Sequence, residues 1–167
     1  PLVGLFPNFT ILDQADAENA INMVRTHLGL HKQDKRFPKK HTLLNLISKS
    51  VNTVQDLETV IADEAPHFLE WSMSIERIKE EYASYKKRMS VLDYDDLLIF
   101  LRDLLTDHPE LRKNLSRHYR YLMVDEYQDT NHVQYEISTL LSYEHQNICV
   151  VGDTDQNIYS WRGANIE

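Results

Sequence analysis

Two short apolar runs, Tyr121-Leu122-Met123-Val124 and Ile148-Cys149-Val150-Val151, bracket a stretch in which Val133, Ile137, Leu140 and Leu141 recur at helical spacing. Short apolar runs bounded by polar residues are what buried strands of a parallel sheet look like, because both faces of such strands are covered. Strand, helix, strand is a βαβ unit, and parallel pairing delivers the residues after each strand to the same edge of the sheet, where ligands usually bind. This pattern restricts the end of the chain to an α/β fold. The single cysteine, Cys149, lies inside the second run with no cysteine to pair with and no metal-ligand spacing around it, so it is expected to be a small buried hydrophobe.

The preceding residues read as wholly helical. From Asp13 to Leu28, Ala17, Ala20, Ile21, Val24 and Leu28 keep helical spacing, with Asp13 as N-cap and Gly29 as the stop. Leu43, Leu44 and Ile47 mark a short helix, and Leu57, Val60 and Ile61 mark another that must end before Pro66. Phe68, Trp71, Ile75, Ile78, Tyr82, Tyr85 and Met89 step by threes and fours, which predicts one stripe on a single long helix. An aromatic stripe can stack on bases, but packing is its commoner use, and no ligand is assigned to it. Leu97, Leu98, Leu101, Leu104 and Leu105 give a further helix, and Pro109 suits the first turn of the next. The change of period near Arg117 divides the chain into an all-helical domain, residues 1–116, and part of a parallel-sheet domain, residues 117–167. The expected class is α/β overall but mostly helical.

With 167 residues, 42% of them hydrophobic, the chain can bury a real core. No apolar run approaches the ~20 residues needed to span a bilayer, and Pro1-Leu2-Val3-Gly4 is not a signal-peptide start, so the protein is expected to be soluble and cytoplasmic, with no membrane partner. A net charge of −8 argues against a surface that binds nucleic acid all over. Distribution matters more than the sum. In His31–Lys40 the five cations Lys32, Lys35, Arg36, Lys39 and Lys40 face one acid, Asp34, leaving a local charge of +4 with histidine neutral. Such a run is either a phosphate-binding patch or a solvated loop.

The first apolar run ends in Asp125-Glu126-Tyr127-Gln128-Asp129-Thr130. A strand-end Asp can hold Mg²⁺ while the neighbouring Glu orients and deprotonates a water aimed at a γ-phosphate, although a solvated acidic turn would look similar. The second run leads into Gly152-Asp153-Thr154-Asp155-Gln156-Asn157-Ile158-Tyr159-Ser160-Trp161-Arg162-Gly163-Ala164. Together these stretches resemble motifs II and III of the UvrD/PcrA/Rep group of superfamily 1 DNA helicases. Upstream, Phe9 to Asp13, Lys35 to Lys49 and Asp93-Tyr94-Asp95-Asp96-Leu97-Leu98 are similar to the helical insertion of the first motor domain in that group, so the resemblance covers nearly the whole chain.

The resemblance implies a fold and a set of roles. Residues 1–116 correspond to the all-α insertion, and residues 117–167 to part of a RecA-like P-loop NTPase core. Asp125 becomes the magnesium-side carboxylate, Glu126 the residue activating water and Gln156 the γ-phosphate sensor, while Tyr94, Tyr159, Trp161 and Arg162 become single-strand DNA contacts. The basic segment is expected to touch duplex phosphates. The implied parent is an ATP- and Mg²⁺-dependent 3′-to-5′ helicase of repair or replication, working on single strands and junctions with the rest of its own motor and with repair or replication proteins. Asn157 departs from the serine more usual in the group, with little expected effect.

A larger departure is that none of Gly4, Gly29, Gly152 and Gly163 is followed by Lys-Ser or Lys-Thr, so no G-x-x-x-x-G-K-[ST] phosphate loop is present in these residues. The chain is therefore expected to be an internal stretch of the motor that binds and hydrolyses no ATP alone. A non-enzymatic DNA-binding or scaffold module, and the motor part of a helicase-nuclease, are the alternatives.

Overall fold

Asp13 ends an extended segment and caps the first helix, α1 (Gln14–His27), by accepting the Asp16 N–H at 2.8 Å. Gly29, at φ +73°, takes the left-handed conformation that stops the helix, as expected. This computed structural model describes residues 8–30, 35–153 and 155. They fall into two compact units. One holds the described residues up to Val51 together with Gln55–Asp95, and the other holds Asn52–Val54 and the described residues from Asp96 onward.

In the first unit α1 is followed by α2 (Lys40–Thr53), whose last two residues belong to the second unit, and by α3 (Leu57–Glu64) and α4 (Ser72–Met89). Asp56 caps α3 by accepting from the Thr59 N–H at 2.8 Å and its hydroxyl at 2.7 Å, and these bonds hold its carboxyl below the ordinary range. One apolar face from each helix builds the core, with Ile21, Leu43, Ile61, Ile75 and Ile78 fully enclosed. Two expectations need correction here. Phe68 and Trp71 lie on a separate 3₁₀ stretch, Pro66–Trp71, so the long helix starts only at Ser72. A step of three keeps residues on one face in either helix type, so the spacing could not tell the two apart. The region is also not all-helical, since β1 (Thr10–Ile11) pairs in parallel with β2 (Val91–Leu92). Two-residue strands carry no alternation to read.

Directly after β2, the buried Asp93 accepts from the Tyr82 hydroxyl at 2.9 Å and the Lys86 ammonium at 2.7 Å, and that ammonium sits 4.5 Å from the centre of the Tyr82 ring. The trio ties the last turns of α4 to the strand end that precedes the next helix.

In the second unit run most of α5 (Tyr94–Asp107), then α6 (Pro109–His118), β3 (Leu122–Val124), α7 (His132–Ser142) and β4 (Ile148–Val150). Pro109 occupies the first turn of α6, as expected. β3 and β4 pair in parallel with Leu122, Met123 and Val124 opposite Ile148, Cys149 and Val150, which makes the expected βαβ unit. Leu105, Val133 and Ile137 form the core of this unit. The strands are not buried as expected: Met123 is 77% exposed, Val150 47%, and Cys149 is exposed as well. A parallel pair needs cover on both faces. Among the described residues this sheet has two strands, and α7 packs on β3. Among the described residues no helix is long and apolar enough to cross a membrane.

The Asp93 cluster yields a prediction. Both ionic side chains are 11% exposed, so Asp93→Ala removes a close carboxylate from the Lys86 charge in a largely desolvated place and is expected to cost clearly more than about 1 kcal/mol. Tyr82→Phe removes one neutral donor and is expected to cost about 1 kcal/mol. Urea denaturation of the two variants checks the ranking, and equal losses would show that the ion pair does not anchor this junction.

Candidate nucleotide and nucleic-acid sites

The parallel register fixes the geometry at the carboxyl edge of the β3–β4 sheet. Val124 lies opposite Val150, and the ladder continues one step further as the Val151 N–H donates to the Val124 carbonyl at 2.8 Å and the Tyr127 N–H to the Val151 carbonyl at 2.9 Å. Asp125 and Glu126 therefore leave the sheet at the edge where Gly152 and Asp153 also emerge. Both carboxylates are exposed.

Glu126 adopts φ +51°, a left-handed conformation uncommon for a residue with a side chain. Its N–H donates to Asp125 Oδ1 at 2.9 Å, and its carbonyl accepts the Asp129 N–H at 2.9 Å, opening the single 3₁₀ turn Tyr127–Asp129. This turn carries Gln128 back beneath the carboxylate. Gln128 is 4% exposed; its Nε2 donates to Glu126 Oε2 and its Oε1 accepts the Asp153 N–H at 2.9 Å. Gly152 is required by this contact, because a Cβ there would lie 2.6 Å from Gln128 Oε1 and 3.1 Å from its backbone nitrogen.

α7 is held at the other side of the turn by Asn131. Its Oδ1 accepts the Gln134 N–H at 2.9 Å while Gln134 Oε1 accepts the Asn131 N–H at 3.0 Å, a reciprocal capping box. The remaining Asn131 amide donates to Asn52 Oδ1 at 2.8 Å in a buried contact spanning 79 positions of sequence. Sequence reasoning assigns no role to Gln128, Asn131 or Asn52. The Asn-x-x-Gln spacing could have revealed the cap, but nothing local announces the other two.

A single exposed carboxylate such as Asp125 suits Mg²⁺, which keeps much of its water and shares its shell with phosphate oxygens. Among the described residues no cluster of three or more His, Cys, Asp or Glu side chains could cage a metal ion by itself. Gln156, Tyr159, Trp161 and Arg162 lie outside the described residues, as does Lys32.

The other sequence-derived candidates belong to the first unit. Phe37 and Pro38 are buried, with Phe37 edge-on to Trp71 at 5.9 Å, and they anchor the segment from which Lys35, Arg36 and Lys39 are exposed. The Arg36 guanidinium lies 5.9 Å from the Trp71 ring centre. Lys40 differs from these, since it bonds Asn19 Oδ1 at 2.9 Å and lies 3.4 Å from Glu18. A hydrogen bond with His41, and then that with Lys40, hold the Glu18 carboxyl below its ordinary range. Tyr94, the first residue of α5, is 61% exposed immediately after the buried Asp93.

Residues 2–167 match the model of the UvrD/REP helicase N-terminal domain family. The ATP-dependent DNA helicase PcrA of Bacillus subtilis is 35% identical over 170 residues, covering 98% of this chain and 21% of that protein. PcrA of Leuconostoc citreum is 36% identical over 167 residues, with the same coverage of each chain. The ATP-dependent DNA helicase Rep of Buchnera aphidicola subsp. Baizongia pistaciae is 34% identical over 167 residues, covering 99% of this chain and 23% of that protein. The chain spans roughly a fifth of the length of these relatives. On a match of this extent, the chain belongs to the UvrD/REP helicase N-terminal domain family.

Proposed function

We propose that these residues form part of the ATP-driven motor of a DNA helicase that moves along single strands and opens duplexes. The observation that carries the reading is the carboxyl edge of the β3–β4 sheet, where Asp125 and Glu126 emerge together beside Gly152 and Asp153 in a chain of this family. Its relatives are named ATP-dependent DNA helicases. Residues 1–116 act as the insertion and 117–167 as part of the motor core. The family resemblance supports travel from 3′ to 5′ and service in repair or replication, and a cytoplasmic setting belongs to the same reading.

In this reading Glu126 accepts a proton from water as the water oxygen bonds to the γ-phosphorus and the bond to the ADP leaving oxygen breaks. Asp125 would hold Mg²⁺, which would neutralise charge on the phosphate oxygens. Gln156 senses the γ-phosphate. Tyr94, Tyr159, Trp161 and Arg162 grip the single strand, because aromatic faces stack on any base. Lys35, Arg36 and Lys39, with Lys32, supply phosphate contacts; Lys40 contributes less, because Glu18 and Asn19 already engage it.

In the full-length enzyme Glu126→Gln is expected to retain nucleotide binding and to lower DNA-stimulated turnover by about two orders of magnitude or more, as for a lost base. The 167 residues alone, without a Gly-Lys-Ser/Thr loop, are expected to turn over no ATP. A phosphate-release assay reads both, and full activity of the Gln variant removes Glu126 from the role.

Replacing Lys35, Arg36 and Lys39 by Ala is expected to flatten the slope of log affinity against log salt by ~0.9 for each DNA phosphate that is no longer neutralised. An unchanged slope in salt titrations assigns the segment to solvent. Tyr94→Ala is expected to weaken single-strand binding about five- to a hundred-fold while leaving the melting temperature in place, since the ring is exposed. A fall in melting temperature with intact binding makes Tyr94 a packing residue.

A further inference from the structure

Gln128 bonds to both loops at the sheet edge, and it is almost wholly buried while the carboxylate it holds is exposed. Its orientation has only one solution. An ionised carboxylate can only accept and a backbone N–H can only donate, so the amide nitrogen must face Glu126 and the amide oxygen must face Asp153. Neither end can turn without leaving a buried polar group unpaired. Gly152 closes the arrangement from above, leaving no space for even a methyl group against the amide oxygen.

We propose that Gln128 is a positioning residue for Glu126: it fixes one carboxylate oxygen so that the other faces water, and it ties that carboxylate to the loop following β4. The proposal rests on the reading of Glu126 as the base. Donation from a buried, immobile amide holds the carboxylate in one orientation. Because the other end of the same amide is pinned at Asp153, a displacement of the loop after β4 moves the amide and with it the carboxylate.

The test uses DNA-stimulated ATP turnover by the full-length enzyme carrying Gln128→Leu, Glu126→Gln, both together, and Gln128→Glu. Gln128→Leu is expected to lower kcat about ten- to a hundred-fold with KM for ATP within about two-fold, as for an interaction serving only the reacting state. Added to Glu126→Gln, it is expected to cost less than about two-fold more, because the group it acts through is already gone. Gln128→Glu keeps the acceptor for Asp153 but sets a second carboxylate against Glu126. It removes the amide donor and is expected to lower kcat with KM for ATP within about two-fold, and to cost less than about two-fold more when Glu126→Gln is already present. A purely structural role predicts the same fold-loss with and without Glu126→Gln, and this isosteric variant keeps the question open to measurement if Gln128→Leu folds poorly. Wild-type kcat in Gln128→Leu, or the same fold-loss in both backgrounds, overturns the proposal while an inactive Glu126→Gln leaves the base in place. Full turnover by Glu126→Gln overturns the reading of the base and this proposal with it.

Discussion

The parallel pairing of Leu122–Val124 with Ile148–Val150 is the constraint from which the candidate nucleotide edge follows. Antiparallel strands would send their following loops to opposite edges, whereas parallel strands joined by α7 must send both to one edge. Once Val124 stands opposite Val150, the loop carrying Asp125 and Glu126 has to share space with the loop opened by Gly152. The chain solves the crowding in two ways. Glycine at 152 removes the side chain that would collide with Gln128, and a left-handed residue at 126 reverses the chain early enough for Gln128 to return beneath the sheet edge.

The first unit rests on a different balance, in which helix ends matter as much as the core. Asp13 and Asp56 satisfy amides at the first turns of their helices that would otherwise lack a partner in the protein. Asp93 does more. It lies where α4, β2 and the start of α5 meet, and it is held by a phenol and an ammonium that are themselves mostly enclosed. A buried ion pair gains little net energy over an apolar substitute but is costly to leave half-made, so it fixes geometry more than it adds stability. The geometry fixed here is the first turn of α5, from which Tyr94 projects.

Features written in local spacing are legible in the sequence, and features made by distant residues are not. Asp13, Gly29, Pro66 and Pro109 punctuate helices through their own backbone chemistry, and the boundaries they imply agree with α1, α3 and α6. The period of α7 and the two flanking apolar runs are enough to give the βαβ unit. Thr10-Ile11 and Val91-Leu92 become strands only because they meet across 81 positions of sequence, and no local period records that. Spacing alone assigns Phe68 and Trp71 to α4 because a 3₁₀ turn and an α-helix share a step of three. The apolar neighbours of Cys149 suggest an inside position, yet burial depends on what packs over a strand and not on its composition. At the candidate site the carboxylates announce themselves by position after an apolar run. Gln128 does not, because its partners are a carboxylate two residues back and an amide 25 residues ahead.

A carboxylate that takes a proton from water faces opposing demands. It must meet solvent, so burial cannot hold it, and an exposed Glu side chain left to itself wanders among rotamers at an entropic cost that each reaction cycle would have to meet again. Placing the tether on a neighbour resolves the conflict. Glu126 stays exposed, its backbone is held by Asp125 and by the Tyr127–Asp129 turn, and its side chain is held from below by an amide that is itself immobilised through Asp153. The ordering cost is thus met once, on folding, by a buried group with no freedom left to lose. The left-handed backbone at Glu126 fits the same logic, since a conformation costing roughly 1–2 kcal/mol persists only where surrounding bonds over-determine it. Here those bonds converge on the one side chain that the proposed chemistry most needs to keep still.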